Sequence, residues 1–91
     1  MTVSWSDEAA EDLRRIYEYI WRDKPETAEQ VAREIFERAE GLANFSKGGR
    51  TGRIHGTREF ALSPLPCIVI YRESGQVLEI ARILHGAQRW P

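Results

Sequence analysis

The apolar residues in the first half of the chain recur at helical spacing. Four of them share one face of a helix that begins after Ser6, whose hydroxyl can cap a helix N-terminus, and ends near Arg22: Leu13, Ile16, Tyr17 and Ile20. A second stripe follows Pro25, which suits the first turn of a helix because its missing N–H needs no partner there: Ala28, Val31, Ala32, Ile35, Ala39 and Leu42. The pattern predicts two amphipathic helices that form an antiparallel hairpin.

The first few residues and the second half of the chain have the pattern of β-structure. Thr2–Trp5 alternates and predicts a short strand, whereas residues 46–56 hold four of the seven glycines and predict a loop. Further strands are predicted over residues 58–62, 67–71 and 77–84, although the last of these lacks a clean alternation. The predicted order is β-α-α-β-β-β. This is a single α+β domain spanning residues 1–91, in which an antiparallel sheet packs against the N-terminal α-helical hairpin.

Charge is divided along the chain, although the formal net charge of the 91 residues is only −1. Residues 7–40 hold eleven acids and six bases, whereas residues 41–91 hold seven bases and three acids. A basic half suits an anionic partner, either nucleic acid or an acidic protein segment, while acidic charges on the helices can simply solvate them. Because so short a chain has a thin core, a partner that covers apolar surface would matter for stability.

Composition argues against several classes of protein. No apolar run is long enough to span a membrane, and residues 1–6 are too short and polar for a signal peptide, so we expect no membrane partner. One cysteine and two histidines are too few for a zinc site, and we expect no metal and no cofactor. The single cysteine fits a cytoplasmic location. The glycine-rich loop lacks the Gly-Lys-Ser/Thr ending of a phosphate-binding loop, and no small-molecule substrate is expected.

Three segments carry a recognisable pattern over nearly the whole chain. The first is the start of the helical half: Ser4-Trp5, Ala9, Asp12-Leu13, Ile16 and Tyr19-Ile20. The second lies in and after the glycine-rich loop: Gly49-Arg50-Thr51-Gly52-Arg53 and Gly56-Thr57-Arg58-Glu59. The third comprises Ile68-Val69-Ile70-Tyr71-Arg72, residues 77–84 and the ending His85-Gly86-Ala87-Gln88-Arg89-Trp90-Pro91. Together they resemble the RelE/ParE toxin superfamily, on its ParE-like side, and the ending is the most specific piece.

The resemblance implies the toxin of a type II toxin–antitoxin system, of the kind associated with plasmid stabilisation and growth inhibition. It implies a cognate antitoxin that wraps the toxin with a helix and an extended segment. It also implies one of two targets, because ParE-type members inhibit DNA gyrase whereas RelE-type members enter the ribosome and cleave mRNA. A third interpretation is an inactive module that only binds an antitoxin or nucleic acid.

The residues that RNA cleavage would need are only partly present. RelE-like nucleases use a charged group on the loop before the second strand, an arginine in the middle strand and a His or Tyr at the end of the last strand. Arg53 and His85 are the candidate catalytic residues here, but Ile68 stands where the arginine is expected and Gly86 where relatives carry a tyrosine. Losing a cation that offsets transition-state charge costs about 3–4 kcal/mol. The sequence therefore favours a gyrase inhibitor, with the ribosome and mRNA as the alternative partners.

A partner- or nucleic-acid-binding surface is expected from the basic residues of the second half. Trp90 is expected to pack back onto the sheet or the helices and to fix Arg89 beside the basic face. The complete predicted set is Lys47, Arg50, Arg53, Arg58, Arg82, Arg89 and Trp90.

Overall fold

The structure, a computed structural model, describes residues 1–86. The predicted Arg89 and Trp90 lie outside the described residues. The elements in chain order are β1 (Thr2–Trp5), α1 (Asp7–Trp21), α2 (Pro25–Gly41), a 3₁₀ turn (Leu42–Asn44), β2 (Arg50–Thr51), β3 (Arg58–Ala61), β4 (Cys67–Ser74) and β5 (Val77–His85). The predicted α+β class and helical hairpin are confirmed.

Both helices begin where the sequence predicts. The Ser6 hydroxyl accepts a hydrogen bond from the N–H of Ala9 at 3.0 Å, which satisfies one of the open donors of the first turn of α1. The same hydroxyl donates to the carbonyl of Ala81 at 2.8 Å and so attaches the start of α1 to β5. Pro25 is the first residue of α2, as expected.

The sheet is mixed rather than antiparallel, which corrects the prediction. Its strand order is β1-β5-β4-β3-β2, and β1 runs parallel to β5 while the other neighbours are antiparallel. Parallel neighbours need a long connection, and here the whole helical hairpin and the other strands lie between them in the chain. Hydrophobic alternation identifies strands but carries no information on the direction of two strands so far apart in sequence.

A β-bulge explains the irregular pattern of β5. Ile70 pairs with Arg82, but the next residue, Tyr71, pairs with Ile80, so that Ala81 is the extra residue. Ile80 and Ile83 therefore face the same side although they are three residues apart, and a strict period of two is lost.

The predicted loop over residues 46–56 contains a short strand. Arg50 pairs with Glu59, and Thr51 with Arg58, so β2 adds a fifth strand at the edge of the sheet. Two residues are too short for a hydrophobic period, which is why the glycine content dominated the prediction.

The helices cover one face of the sheet. Ile35, Ala39 and Leu42 are fully buried there, against Val69 and Ile80 of the central strands. We call this the helix-bearing face. A smaller apolar cluster lies on the opposite, helix-free face, and consists of Ile70, Ala81 and Leu84 with Ile68 packed against it. Neither helix of the described chain has the length and apolar character needed to cross a membrane.

Candidate functional site

The loop that carries the predicted cations is anchored by the hydroxyl of Tyr71. This fully buried hydroxyl donates to the carbonyl of Ser46 at 2.8 Å and accepts from the N–H of Gly49 at 2.8 Å. A Cβ at Gly49 would lie 2.5 Å from the hydroxyl oxygen, so only glycine permits this approach. Burial raises the pKa of Tyr71, which keeps the hydroxyl protonated and able to donate at neutral pH.

Glu59 draws two of the predicted cations together. Its side chain is only 2% exposed, whereas those of Arg50 and Arg53 are 67% and 53% exposed. The carboxylate accepts from the Arg50 guanidinium at 3.0 Å and from the backbone N–H of Arg53 at 3.1 Å, with Arg53 Nε at 3.9 Å. Burial acts to raise the pKa of Glu59, but these hydrogen bonds and charges outweigh it and hold the pKa below its ordinary value.

The remaining loop cations lie on the helix-bearing side. Lys47 Nζ is 3.4 Å from Oε1 of Glu73, and the Arg58 guanidinium donates to the carbonyl of Gly49 at 2.9 Å. A cleft of about 340 Å³ lies between them, lined by Lys47, Thr51, His55, Gly56, Thr57, Arg58 and Glu73. The four loop cations therefore lie around the β2–β3 edge of the sheet, Arg50 and Arg53 toward the helix-free face and Lys47 and Arg58 toward the helix-bearing face. We call Lys47, Arg50, Arg53 and Arg58 the basic loop cluster.

Arg82 does not join the basic loop cluster. It makes a bidentate ion pair with Asp12 of α1. Arg82 Nε lies 2.7 Å from Asp12 Oδ2, and a terminal guanidinium nitrogen lies 3.0 Å from Oδ1. Asp12 Oδ2 also accepts from the N–H of Ile83 at 2.9 Å. The hydrogen bonds that Arg82 donates to Asp12 raise the pKa of Arg82. With 25% and 7% side-chain exposure, Arg82 and Asp12 tie α1 to β5 rather than present an open cation.

Asp12 could have been found from the sequence. It stands three residues after Ala9 and four before Ile16, within the apolar stripe of α1. A carboxylate on a buried helix face needs a cation or several donors, and a paired arginine was therefore to be expected.

His85 and Arg53, the two candidate catalytic residues, lie apart. His85 pairs with Cys67 at the end of β5 and lines a groove beside α1, on the helix-bearing face. Arg53 is held by Glu59, which pairs with Ile70 and so points to the helix-free face. Strand β4 separates Glu59 from His85, which puts these two residues about 10 Å apart across the sheet before any offset along the strands.

The residues that the structure describes form no group of three or more His, Cys, Asp or Glu side chains that could hold a metal ion. Cys67 is buried, and burial raises its pKa. The thiol is therefore kept in its protonated, unreactive form.

Comparison with known proteins identifies the family. The profile of the family described as the ParE toxin of the type II toxin–antitoxin system parDE matches residues 3–90. The chain belongs to the ParE toxin family. This confirms the resemblance to the RelE/ParE superfamily.

Relatives of this ParE-family toxin match it over almost their full length. Y4kP of Sinorhizobium fredii is 38% identical over 89 residues, covering 98% of this chain and 92% of Y4kP. Toxin RelE2 of Caulobacter vibrioides is 30% identical over 86 residues, covering 94% and 96% of the two chains. A solved structure from the chromosomal ParDE toxin–antitoxin system of P. aeruginosa superposes with a TM-score of 0.88 at 28% identity, covering 94% of this chain and 96% of that one.

Proposed function

We propose that this ParE-family toxin arrests growth by binding and inhibiting DNA gyrase, and that a cognate antitoxin neutralises it. An inhibitor of this kind needs a preorganised surface and no acid–base catalyst. The basic loop cluster meets this need, because Tyr71 and Glu59 hold its backbone in place before any partner arrives. A surface ordered in advance loses less conformational freedom on binding.

The separation of Arg53 from His85 carries the proposal. Metal-free RNA cleavage requires a base, an acid and a cation around one scissile phosphate, each within hydrogen-bond reach. His85 faces the groove beside α1, whereas Arg53 is held on the other side of the sheet by Glu59. Ile68, an uncharged residue, occupies the strand between them. This distribution supports action through binding rather than cleavage.

The antitoxin is expected to present acidic residues to the basic loop cluster. Arg50 and Arg53 keep more than half of their side-chain surface exposed despite their pairing with Glu59. The related structure comes from a ParDE toxin–antitoxin system, which supports a partner of the same kind for this chain.

Two assays on one preparation test the proposal. The purified toxin should block supercoiling by gyrase and should leave mRNA intact in programmed ribosomes. The His85→Ala variant should block supercoiling to the same extent as the parent, because a binding inhibitor does not use a general acid or base.

Two other outcomes of these assays would support a different function for this chain. Codon-specific mRNA cleavage that is abolished in both His85→Ala and Arg53→Ala would establish the nuclease. If neither assay responds and expression is harmless, the chain is a binding module without toxicity. Unaffected supercoiling at micromolar toxin is sufficient to reject gyrase inhibition.

A further inference from the structure

A groove runs between α1 and the end of β5, away from the basic loop cluster. Strand β1 stops at Trp5, opposite Ile80, so within residues 1–86 no strand flanks the last part of β5 on that side. Helix α1 lies there instead. The groove has a volume of about 270 Å³ and is lined by Asp12, Arg15, Ile16, Tyr19, Ile83 and His85.

The groove combines an apolar floor with an exposed aromatic rim. Ile16 and Ile83 belong to the buried core of the helix-bearing face, whereas Tyr19 is 69% exposed. Tyrosine exposed beside an apolar cleft is typical of interface anchors, because it offers a large rigid surface at little entropic cost. The volume is below the roughly 300–1,000 Å³ of pockets that enclose small-molecule ligands. It suits a protruding side chain better.

The electrostatics of the groove select the chemistry of its occupant. The carboxylate of Asp12 is already taken by Arg82 and by the N–H of Ile83. Arg15 stands at the rim with 70% of its side chain exposed, next to Glu11 at 3.5 Å. A partner that carries a carboxylate beside its apolar anchor would therefore compete for Arg15 and meet no uncompensated acid on the floor.

We propose that this groove receives a bulky apolar side chain of the antitoxin, with an adjacent acidic residue paired to Arg15. The inference rests on the antitoxin partner of the proposed function, but it places the anchor on α1 and β5 rather than on the basic loop cluster. A second copy of this chain is a poorer occupant. The exposed Tyr19 is preceded by Glu18, but the Glu18 carboxylate already accepts a hydrogen bond from Arg14 at 2.6 Å and would have to give it up to reach Arg15 of a symmetric partner. A head-to-tail contact would leave an open groove at each end.

The test measures affinity for the antitoxin co-expressed from the adjoining gene. Tyr19→Ala and Arg15→Glu should each weaken the complex by about tenfold or more, the size of effect expected for an interface anchor. Trp21→Ala is the matched control for the aromatic residue, because Trp21 is 50% exposed on the same helix but two positions from Tyr19, on another face. Arg33→Glu, at an exposed position on α2, is the control for charge reversal. Both controls should bind as the parent does.

The readouts separate this inference from the proposed function. Antitoxin affinity is measured without gyrase, so a toxin that fails to inhibit gyrase can still confirm or reject the groove. Equal affinity for the groove and control variants would overturn the inference. So would a groove variant that keeps antitoxin affinity but loses gyrase inhibition, or one that only changes the sedimentation of the isolated toxin. Circular dichroism of Tyr19→Ala confirms that the exposed substitution leaves the fold intact.

Discussion

At the scale of single residues, Glu59 determines how the basic loop is displayed. It is an acid on a strand, buried between an exposed loop and the helix-free face, and it receives hydrogen bonds from the side chain of Arg50 and the backbone of Arg53. An ionised carboxylate is tolerated at 2% exposure only because these donors replace water. The cost of burying Glu59 is thus offset by contacts that also fix the two arginines.

The first prediction concerns the pH dependence of this arrangement. The folded-state pKa of Glu59 lies below its ordinary value of about 4.3, so its contribution to stability is present above that value and is lost as the pH falls through the folded-state pKa. Urea unfolding from pH 7 to pH 3 should show Glu59→Gln less stable than the parent near neutrality, with the difference shrinking below about pH 4.3.

Glu37→Gln removes a charge at an exposed position on α2 and serves as the control. A stability difference between Glu59→Gln and the parent that persists unchanged down to pH 3 would contradict the role given to the carboxylate.

Sequence reasoning at this scale found the cations but not their counterions. The loop arginines are recognisable from the run of basic residues after residue 46, whereas the local sequence around Glu59 and Asp12 does not indicate which cation each of them meets. The partner of Arg82 lies 70 residues away in the chain, on another element. Such pairs depend on tertiary packing, although a carboxylate in an apolar stripe is a local warning that one exists.

At the scale of elements, the ion pair of Asp12 and Arg82 joins α1 to the unflanked end of β5. Asp12 supplies the acceptor for the N–H of Ile83 that a neighbouring strand would otherwise supply. The Ser6 hydroxyl does the equivalent for the carbonyl of Ala81. Side chains from the start of α1 thereby close an edge that β1 is too short to cover.

The second prediction concerns the contribution of the Asp12–Arg82 ion pair to stability. Asp12→Asn should destabilise the fold by about 2–4 kcal/mol, somewhat less than the 3–5 typical of breaking a fully buried pair, because Arg82 keeps a quarter of its surface exposed. Chemical denaturation measures the loss, and Asp23→Asn in the exposed linker between the helices is the control.

A double variant shows whether the pair acts as a unit. The double variant Asp12→Asn/Arg82→Gln should lose less free energy of unfolding than the sum of the losses of the two single variants. Each single substitution leaves the other residue of the pair buried without its partner. Strict additivity would mean that the two side chains stabilise the fold independently.

The elements themselves were largely predictable, and the exceptions share a cause. Helix caps, Pro25 and the run of β-branched residues in β4 are local signals, and each identified its element. The parallel direction of β1, the bulge at Ala81 and the two-residue strand β2 are set by pairing partners far along the chain. The hydrophobic period of one segment carries no information about such distant pairing partners.

At the scale of the whole molecule, the fold leaves much of its surface exposed. The folded chain has an accessible surface of 5936 Å², compared with about 15,000 Å² expected for an unfolded chain of 10.5 kDa. A domain that buries only this share of its surface is marginally stable, and exposed aromatic residues such as Tyr19, Phe36 and Phe45 add to the unburied apolar area. A partner that covers them acts on folding as well as on function.

The third prediction is therefore that the antitoxin stabilises the toxin strongly. At a free antitoxin concentration of about 100 times the dissociation constant, mass action adds about 2.7 kcal/mol to the free energy of unfolding. For a domain of this size that corresponds to a rise in Tm of about 10–20 °C, measured by differential scanning calorimetry at fixed antitoxin excess. Tyr19→Ala at the same antitoxin concentration should show a smaller rise, because its dissociation constant is larger, whereas Trp21→Ala should match the parent. A complex that forms but leaves the Tm unchanged would mean that the antitoxin binds the unfolded chain as well as the folded one, and the groove between α1 and β5 could then not be the anchor of a structured interface.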